Sequence, residues 1–145
     1  MHTTPTNVLR TLLFLASLCL AGCASTLEYT QLPTLAEGKP SATIYFIRKA
    51  HFAGAATRFD VRVDGFTVAA IGSGRHAAVR VPAGMRSIGT RDMNMTVQVD
   101  AGESQYYQLV QELTSFYRAT EVQLRRLPPQ QGKALLGATA AVNQP

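Results

Sequence analysis

Apolar and polar residues alternate with a period of two over much of the chain between residues 42 and 127. The clearest case is RFDVRVDGFTVAAI at 58–71, in which apolar residues alternate with Arg and Asp. This period is that of a β-strand with one buried and one solvated face. The run TIYFIR at 43–48 is rich in β-branched and aromatic residues, and it predicts the first strand of the domain.

Asp64 and Gly65 predict a tight turn inside the alternating segment. Both central residues of a type I′ turn need positive φ, which Asp tolerates and Gly adopts freely. With these two residues as the loop, the predicted cross-strand pairs are apolar, namely Val63 with Phe66, Val61 with Val68, and Phe59 with Ala70.

The same pattern of strand and turn continues along the chain. Ala77, Val79 and Val81 alternate with His76, Ala78 and Arg80, which predicts that the first three face the core and the other three face solvent. Turn sequences follow at GSG (72–74), PAG (82–84) and DAGE (100–103), roughly ten residues apart except across the longer stretch 85–99, with no long helical period between them. Turns at this spacing are typical of sandwiches and barrels. We predict an all-β fold, an antiparallel β-sandwich of about seven or eight strands over residues 42–127.

Two prolines, Pro128 and Pro129, are expected to end the last strand. The C-terminal tail at 128–145 is polar and rich in small residues, so we predict that it is frayed. One short helix around Lys133 to Gly137 is the alternative.

The first 22 residues have the layout of a secretory signal peptide. A short polar start that ends at Arg10 precedes the uncharged run TLLFLASLCLA at 11–21. Because a membrane-spanning helix needs about 20 apolar residues, this shorter run predicts a cleaved leader. The chain is 46% hydrophobic and 16% charged, and part of that apolar content belongs to the leader, not to a core.

The sequence LAGC at 20–23 resembles the lipobox of bacterial lipoproteins. In that family the cysteine thiol takes a diacylglyceryl group and the chain is cut before it, so Cys23 would be the lipidation site. Acyl chains would then attach the domain to a membrane, with residues 23–41 as a flexible tether. The alternative is ordinary cleavage after Ala24, which releases a soluble secreted protein.

Few side chains of the predicted mature chain suggest catalysis. His51 and His76 lack the spacing of a metal site, and Cys19 leaves with the leader. Ser73 and His76 in IGSGRH suggest a hydrolase, but the glycines adjacent to Ser73 do not match GxSxG. We therefore predict no enzyme, no catalytic residue, no metal and no cofactor, and the chain carries no motif for nucleic-acid recognition.

Arginines are the remaining candidate chemistry in a chain of formal net charge +5. The alternation places Arg58, Arg62 and Arg80 toward solvent from neighbouring strands, and a shared sheet would make them one basic face. Guanidinium groups suit phosphate and carboxylate, so an anionic envelope polymer or an envelope protein is the predicted partner. The alternative is that these arginines only keep the sheet soluble and its edges unpaired.

Four segments together resemble the bacterial lipoprotein domain known as domain of unknown function 2846: TIYFIR at 43–48, VRVDG at 61–65, PAG at 82–84 and AGESQYY at 101–107. The resemblance implies a small β-sandwich behind a lipid anchor, and the family name assigns no activity. RHAA at 75–78 departs from the family pattern, where an aromatic residue is expected after the glycine turn. Such lipoproteins tend to stay in the inner membrane when Asp follows the cysteine. Ala24 in that position implies the outer membrane, with the domain facing the periplasm.

Together these observations predict a non-enzymatic, lipid-anchored outer-membrane lipoprotein that binds or spaces components of the envelope. An assembly component of an envelope or secretion complex, which meets its partner through an exposed strand edge, is an alternative of the same class. A hydrolase that uses Ser73 and His76 is the alternative of a different class.

Overall fold

The computed structural model describes residues 38–51, 55–112 and 121–142. These described residues form nine strands and one helix, with the strands in two sheets, so the predicted all-β sandwich is confirmed. The predicted leader at 1–22, Cys23 and most of the tether at 23–41 lie outside the described residues.

The strands and the helix follow one another along the chain with short connections. In chain order they are β1 (Ser41–Ile47), β2 (Phe59–Val63), β3 (Phe66–Ile71), β4 (Arg75–Pro82), β5 (Gly84–Gly89), β6 (Asn94–Val99), β7 (Ser104–Glu112), β8 (Glu121–Leu127), α1 (Pro129–Gly137) and β9 (Ala140–Ala141). One sheet has the order β8-β7-β1-β4-β9, and the other has the order β3-β2-β5-β6. The described part of the chain therefore has nine strands, one more than the predicted maximum of eight, and the additional strand is the two-residue β9.

The core lies between the two sheets and consists of alternate residues of each strand. In β4 the buried positions are Ala77, Val79 and Val81, as the alternation predicted. In β7 the core positions are Tyr107 and Leu109, so Tyr106 and Gln108 lie on the outer face of the five-stranded sheet.

The parallel pairing of β1 with β7 was not part of the predicted antiparallel arrangement. It sets the aromatic residues of TIYFIR beside those of AGESQYY, with Tyr45 opposite Tyr106 and Phe46 opposite Tyr107. The rings of Tyr45 and Tyr106 are stacked, with centroids 5.0 Å apart and planes 9° apart. Stacked aromatic pairs of this kind stabilise the pairing of two strands that lie far apart in sequence.

The turn of the β2–β3 hairpin is as predicted. Asp64 and Gly65 have φ values of 50° and 85°, the positive values that a type I′ turn requires. Val63 pairs with Phe66 across this turn. The Asp64 carboxylate also accepts hydrogen bonds from the Ser87 amide at 2.9 Å and from Arg86 Nη1 at 2.8 Å, which fixes the turn to β5.

The predicted register of this hairpin is wrong beyond Arg62, because a β-bulge shifts the pairing by one residue. The structure pairs Val61 with Ala69 and Phe59 with Ile71, not Val61 with Val68 and Phe59 with Ala70. The extra residue turns Ala69 and Ile71 toward the core, whereas an unbroken register would face them outward.

The C-terminal segment differs from the predicted frayed tail. After β8 ends at Leu127, helix α1 packs on the outer face of the five-stranded sheet, where Gly132 lies directly against the Tyr106 ring. Strand β9 then pairs in parallel with Arg75 and His76 of β4. The tail is folded as far as Val142, because helix α1 packs on the Tyr106 ring that the sheet presents away from the core.

Of the residues that the structure describes, none belongs to a helix with the length and apolarity that a bilayer crossing needs.

Candidate functional site

The three predicted arginines do not form one face. Arg62 is on β2 and Arg58 immediately precedes that strand, whereas Arg80 is on β4 of the other sheet. The outer faces of two packed sheets point in opposite directions, so a common basic surface is not formed. Arg80 donates a hydrogen bond from Nε to Ser41 Oγ at 3.1 Å, within its own sheet.

Arg58 lies instead beside acidic groups. It lines a cleft of about 260 Å³ together with Asp60, Arg91 and Asp92. Two guanidinium groups and two carboxylates are present among the described lining residues, so the charges of these residues balance. A site of this composition has no preference for anions of the kind predicted for the arginine face.

Ser73 and His76 have separate hydrogen-bond partners in the structure. The Ser73 hydroxyl accepts from the His51 backbone amide at 2.8 Å and lies 3.1 Å from the His51 carbonyl. His76 Nδ1 lies 2.8 Å from Thr139 Oγ1, between β4 and the segment that follows α1. Ser73 therefore fixes one loop to another, and His76 is half-buried under the C-terminal segment, not on the solvated face that was predicted.

The polar residues of AGESQYY hold the fold together. Tyr107 is fully buried, and its hydroxyl donates to Gln105 Oε1 at 2.7 Å. Gln105 Nε2 in turn donates to the Gln98 carbonyl at 2.7 Å and to Glu103 Oε1 at 2.9 Å, which connects β7 with β6 of the other sheet. The backbone amide of Asp100 donates to Glu103 at 2.8 Å, and this bond is the largest cause that lowers the pKa of Glu103.

Arg48, the last residue of TIYFIR, also makes contacts that stabilise the fold. It is 4% exposed, and burial lowers the pKa of its guanidinium. Nη1 donates to the Thr57 carbonyl at 2.5 Å, Nη2 donates to Gln111 Oε1 at 3.4 Å, and the guanidinium carbon lies 4.2 Å from the centroid of the Phe59 ring. The group thus joins the end of β1 to β2 and β7.

A groove begins beside Arg48 on the outer side of the five-stranded sheet. It consists of two adjoining clefts of about 270 and 340 Å³ that share Lys49 and Gln108. The polar lining of the first cleft is Arg48, Lys49, His51, Gln108 and Gln111. The second cleft is completed by Leu127, Gln131, Ala134 and Leu135. We call this feature the Lys49–Gln108 groove.

Gln108 is the buried glutamine of the groove's described lining, since Gln111 is half-buried and Gln131 is exposed. It is 9% exposed and pairs with Ile47 of β1. Within the described ranges its side-chain amide makes no hydrogen bond, although the neighbouring Gln105 makes three. The fully buried side-chain atoms that lack a partner within the described residues are Arg62 Nε and Arg86 Nε, so the Gln108 amide is open to the cleft, where a ligand can reach it.

The described lining of the groove carries basic side chains. Its ionisable lining side chains among the described residues are Arg48, Lys49 and His51, and no carboxylate accompanies them. Lys49 is exposed and forms no ion pair in the part of the chain that the structure describes. The groove therefore favours a ligand with a negatively charged group.

Sequence reasoning missed this groove for a physical reason. Its residues come from the end of β1, from β7 and from α1, and only the parallel β1–β7 pairing and the packed helix bring them together. One local feature pointed to it: two adjacent basic residues, Arg48 and Lys49, directly follow a buried apolar strand.

No group of three His, Cys, Asp or Glu side chains within 38–51, 55–112 and 121–142 is arranged to hold a metal ion.

The chain matches no protein-family model and no curated protein. One solved structure, the N-terminal domain of AlgF from P. aeruginosa, is similar to 68% of this chain and 100% of its own length, at 19% identity and a TM-score of 0.40. A similarity at this level does not establish a shared fold.

Proposed function

We propose that the protein is a lipid-anchored, non-catalytic binding module of the bacterial envelope. In this proposal Cys23 carries the acyl chains, residues 23–41 are the tether, and the β-sandwich meets its ligand in the periplasm at the outer membrane. The observation that carries the proposal is the uncharged run at 11–21 followed by LAGC. Several buried acyl chains, at about 0.8 kcal/mol per methylene, are sufficient for stable attachment.

The use of polar side chains in the sandwich supports a role in binding over one in catalysis. Glu103 and Asp64 accept hydrogen bonds from backbone amides, and the Ser73 hydroxyl bonds the main chain of His51. An enzyme would instead need a nucleophile or base with a neighbouring group that activates it. The Lys49–Gln108 groove is the feature that we assign to binding.

The β3 edge of the four-stranded sheet gives little support to the alternative of assembly through strand addition, whereas the edge strands β6 and β8 pair with their neighbours without a register shift and are compatible with it. Strand β3 is an edge strand of six residues, and the bulge opposite Arg62 lies on it. A bulge on a short edge strand twists the edge and hinders the addition of another strand.

The anchor is tested with serine variants of both cysteines. Cells that express the wild-type protein, Cys23→Ser or the matched control Cys19→Ser are labelled with radioactive palmitate. We expect label and membrane association for the wild type and for Cys19→Ser, and no label for Cys23→Ser. Equal labelling of Cys23→Ser, or an unlabelled wild type in the soluble fraction, would remove the anchor from the proposal.

A further inference from the structure

We propose that the Lys49–Gln108 groove binds the carboxylate end of a short peptide. The proposal rests on the binding role given above and names its ligand class, and it does not depend on the lipid anchor. The groove supplies three things that such a ligand needs: a cation, a side-chain amide that is open to the cleft, and an apolar wall.

The cation is Lys49, which lines both clefts of the groove. Its ammonium is free to pair with a ligand because it forms no ion pair within the described residues. Arg48 contributes positive charge from the floor of the first cleft, but its guanidinium is held by Thr57 and Gln111. We therefore assign the direct contact with the ligand carboxylate to Lys49. Arg48 adds a longer-range electrostatic attraction without touching the ligand.

The side-chain amide of Gln108 favours a peptide over a simple anion as the ligand. A primary amide presents one acceptor and two donor hydrogens, the complement of the N–H and C=O of a peptide bond. A phosphate ion at neutral pH offers mainly acceptor oxygens, and these would leave the Gln108 carbonyl unsatisfied. The Gln108 residue is 9% exposed, so a ligand that covers the cleft excludes the remaining water from its amide, and an unmatched polar atom then costs more than at the surface.

The apolar wall comes from helix α1 and the end of β8. Leu127, Ala134 and Leu135 line the second cleft together with Gln108. Their methyl groups can cover a small aliphatic side chain of the ligand. The clefts of about 270 and 340 Å³ are at the lower end of the range for ligand sites, so the ligand is expected to be one or two residues long.

The test is an NMR titration of the full chain, purified from membranes in detergent and labelled with ¹⁵N. The probe is N-acetyl-alanyl-alanine with a free carboxylate, and the comparison probes are its C-terminal amide and inorganic phosphate. We expect saturable shifts of the Gln108 side-chain signals and of the Lys49 backbone signal with the free peptide. The amide form should bind about tenfold more weakly, because it lacks the charge-assisted contact with Lys49.

Two pairs of variants locate the site. Lys49→Gln should weaken binding of the free peptide about tenfold, whereas Lys133→Gln removes an exposed lysine outside the groove and should leave binding unchanged. Gln108→Leu should weaken binding of both the free peptide and the amide form, with Gln123→Leu as its control. Since Lys49 is exposed, its variant keeps the proposal testable even if Gln108→Leu fails to fold.

Three outcomes would overturn the proposal: the absence of saturable shifts, equal binding of the amide and the free peptide, or displacement of the peptide by phosphate at equal concentration. Binding that survives both Lys49→Gln and Gln108→Leu would also overturn it. None of these results bears on palmitate labelling, so a failure of the ligand class is distinguishable from a failure of the anchor.

Discussion

At Tyr107 the core accommodates a hydroxyl group that no water can reach. The side chain is fully buried between the sheets, and desolvation raises the pKa of the phenol. Its hydroxyl is satisfied by Gln105, which is itself 2% exposed and bonded to Glu103 and to the Gln98 carbonyl. Each polar atom of this network depends on another, so removal of one leaves a buried partner unsatisfied.

Tyr107→Phe should lower the free energy of unfolding by about 1 to 2 kcal/mol, because the Gln105 carbonyl loses its donor in the core. Tyr45→Phe is the matched control: Tyr45 is half-buried, and its hydroxyl makes no hydrogen bond within the described residues. Tyr45→Phe should change the free energy of unfolding by no more than about 0.5 kcal/mol. Urea unfolding of both variants measures the difference, and equal effects would show that the network contributes nothing.

Single residues could be predicted from the sequence where their environment is set by alternation alone. Val79 and Val81 were placed in the core correctly, and the turn at Asp64 was recognised because few residues tolerate positive φ. The network of Gln105 was not foreseen, because its acceptor is a backbone carbonyl of the opposite sheet. No local sequence pattern indicates a hydrogen bond to the backbone of a distant strand.

Among the elements, helix α1 shows most clearly how tertiary packing overrides a weak local pattern. The segment 128–145 is polar and small, but Gly132 permits the helix backbone to approach Tyr106 closely. Leu135 and Leu136 are half-buried in consequence. Sequence reasoning offered a short helix only as an alternative, because the apolar surface that stabilises it is the outward face of a sheet.

Gly132→Ala tests this packing. An added Cβ would overlap the Tyr106 ring, so the helix must shift, and we expect a loss of about 1 to 3 kcal/mol in the free energy of unfolding. Gly137→Ala is the control in the same helix, where an added Cβ meets nothing. Its stability should be unchanged or raised by less than about 1 kcal/mol. A helix that tolerates both substitutions equally in urea unfolding would contradict the close contact.

The junction between β4 and the C-terminal segment should depend on pH through His76. Burial lowers the pKa of His76 below its ordinary value of 6.5, and the contact with Thr139 only partly offsets this. The folded protein then binds a proton more weakly than the unfolded chain, so its stability falls as the pH decreases through about 6.5. Above that pH His76 is neutral in both the folded and the unfolded chain, and the free energy of unfolding no longer depends on its titration.

The measurement is urea unfolding of the wild type and His76→Gln between about pH 8 and pH 5. The variant cannot titrate at this position, so the difference in free energy of unfolding between wild type and variant should decrease toward pH 5. The amides of Ala140 and Val142 bond to Gly74 and His76, and their protection factors, corrected for the intrinsic pH dependence of exchange, should fall in parallel toward pH 5 in the wild type alone. Two curves that run parallel across this range would refute the dependence on His76.

For the whole molecule, the sequence predicted the architecture better than the site. Turns at regular spacing were sufficient for the sandwich, because strand alternation and turn chemistry are local properties. The basic face of Arg58, Arg62 and Arg80 was not formed, because the assignment of strands to sheets depends on long-range pairing. The groove was missed for the same reason, since Lys49 and Gln108 are neighbours only in the folded protein.

The proposal for the whole molecule combines this sandwich with an acylated Cys23 that holds it at the membrane. Mass spectrometry of the protein purified from its native membrane tests that claim directly. We predict a mature chain that begins at Cys23 and is heavier than the polypeptide by the mass of a diacylglyceryl group and an N-linked acyl chain. An unmodified chain that begins after Cys23, or one that retains residues 1–22, would contradict the account.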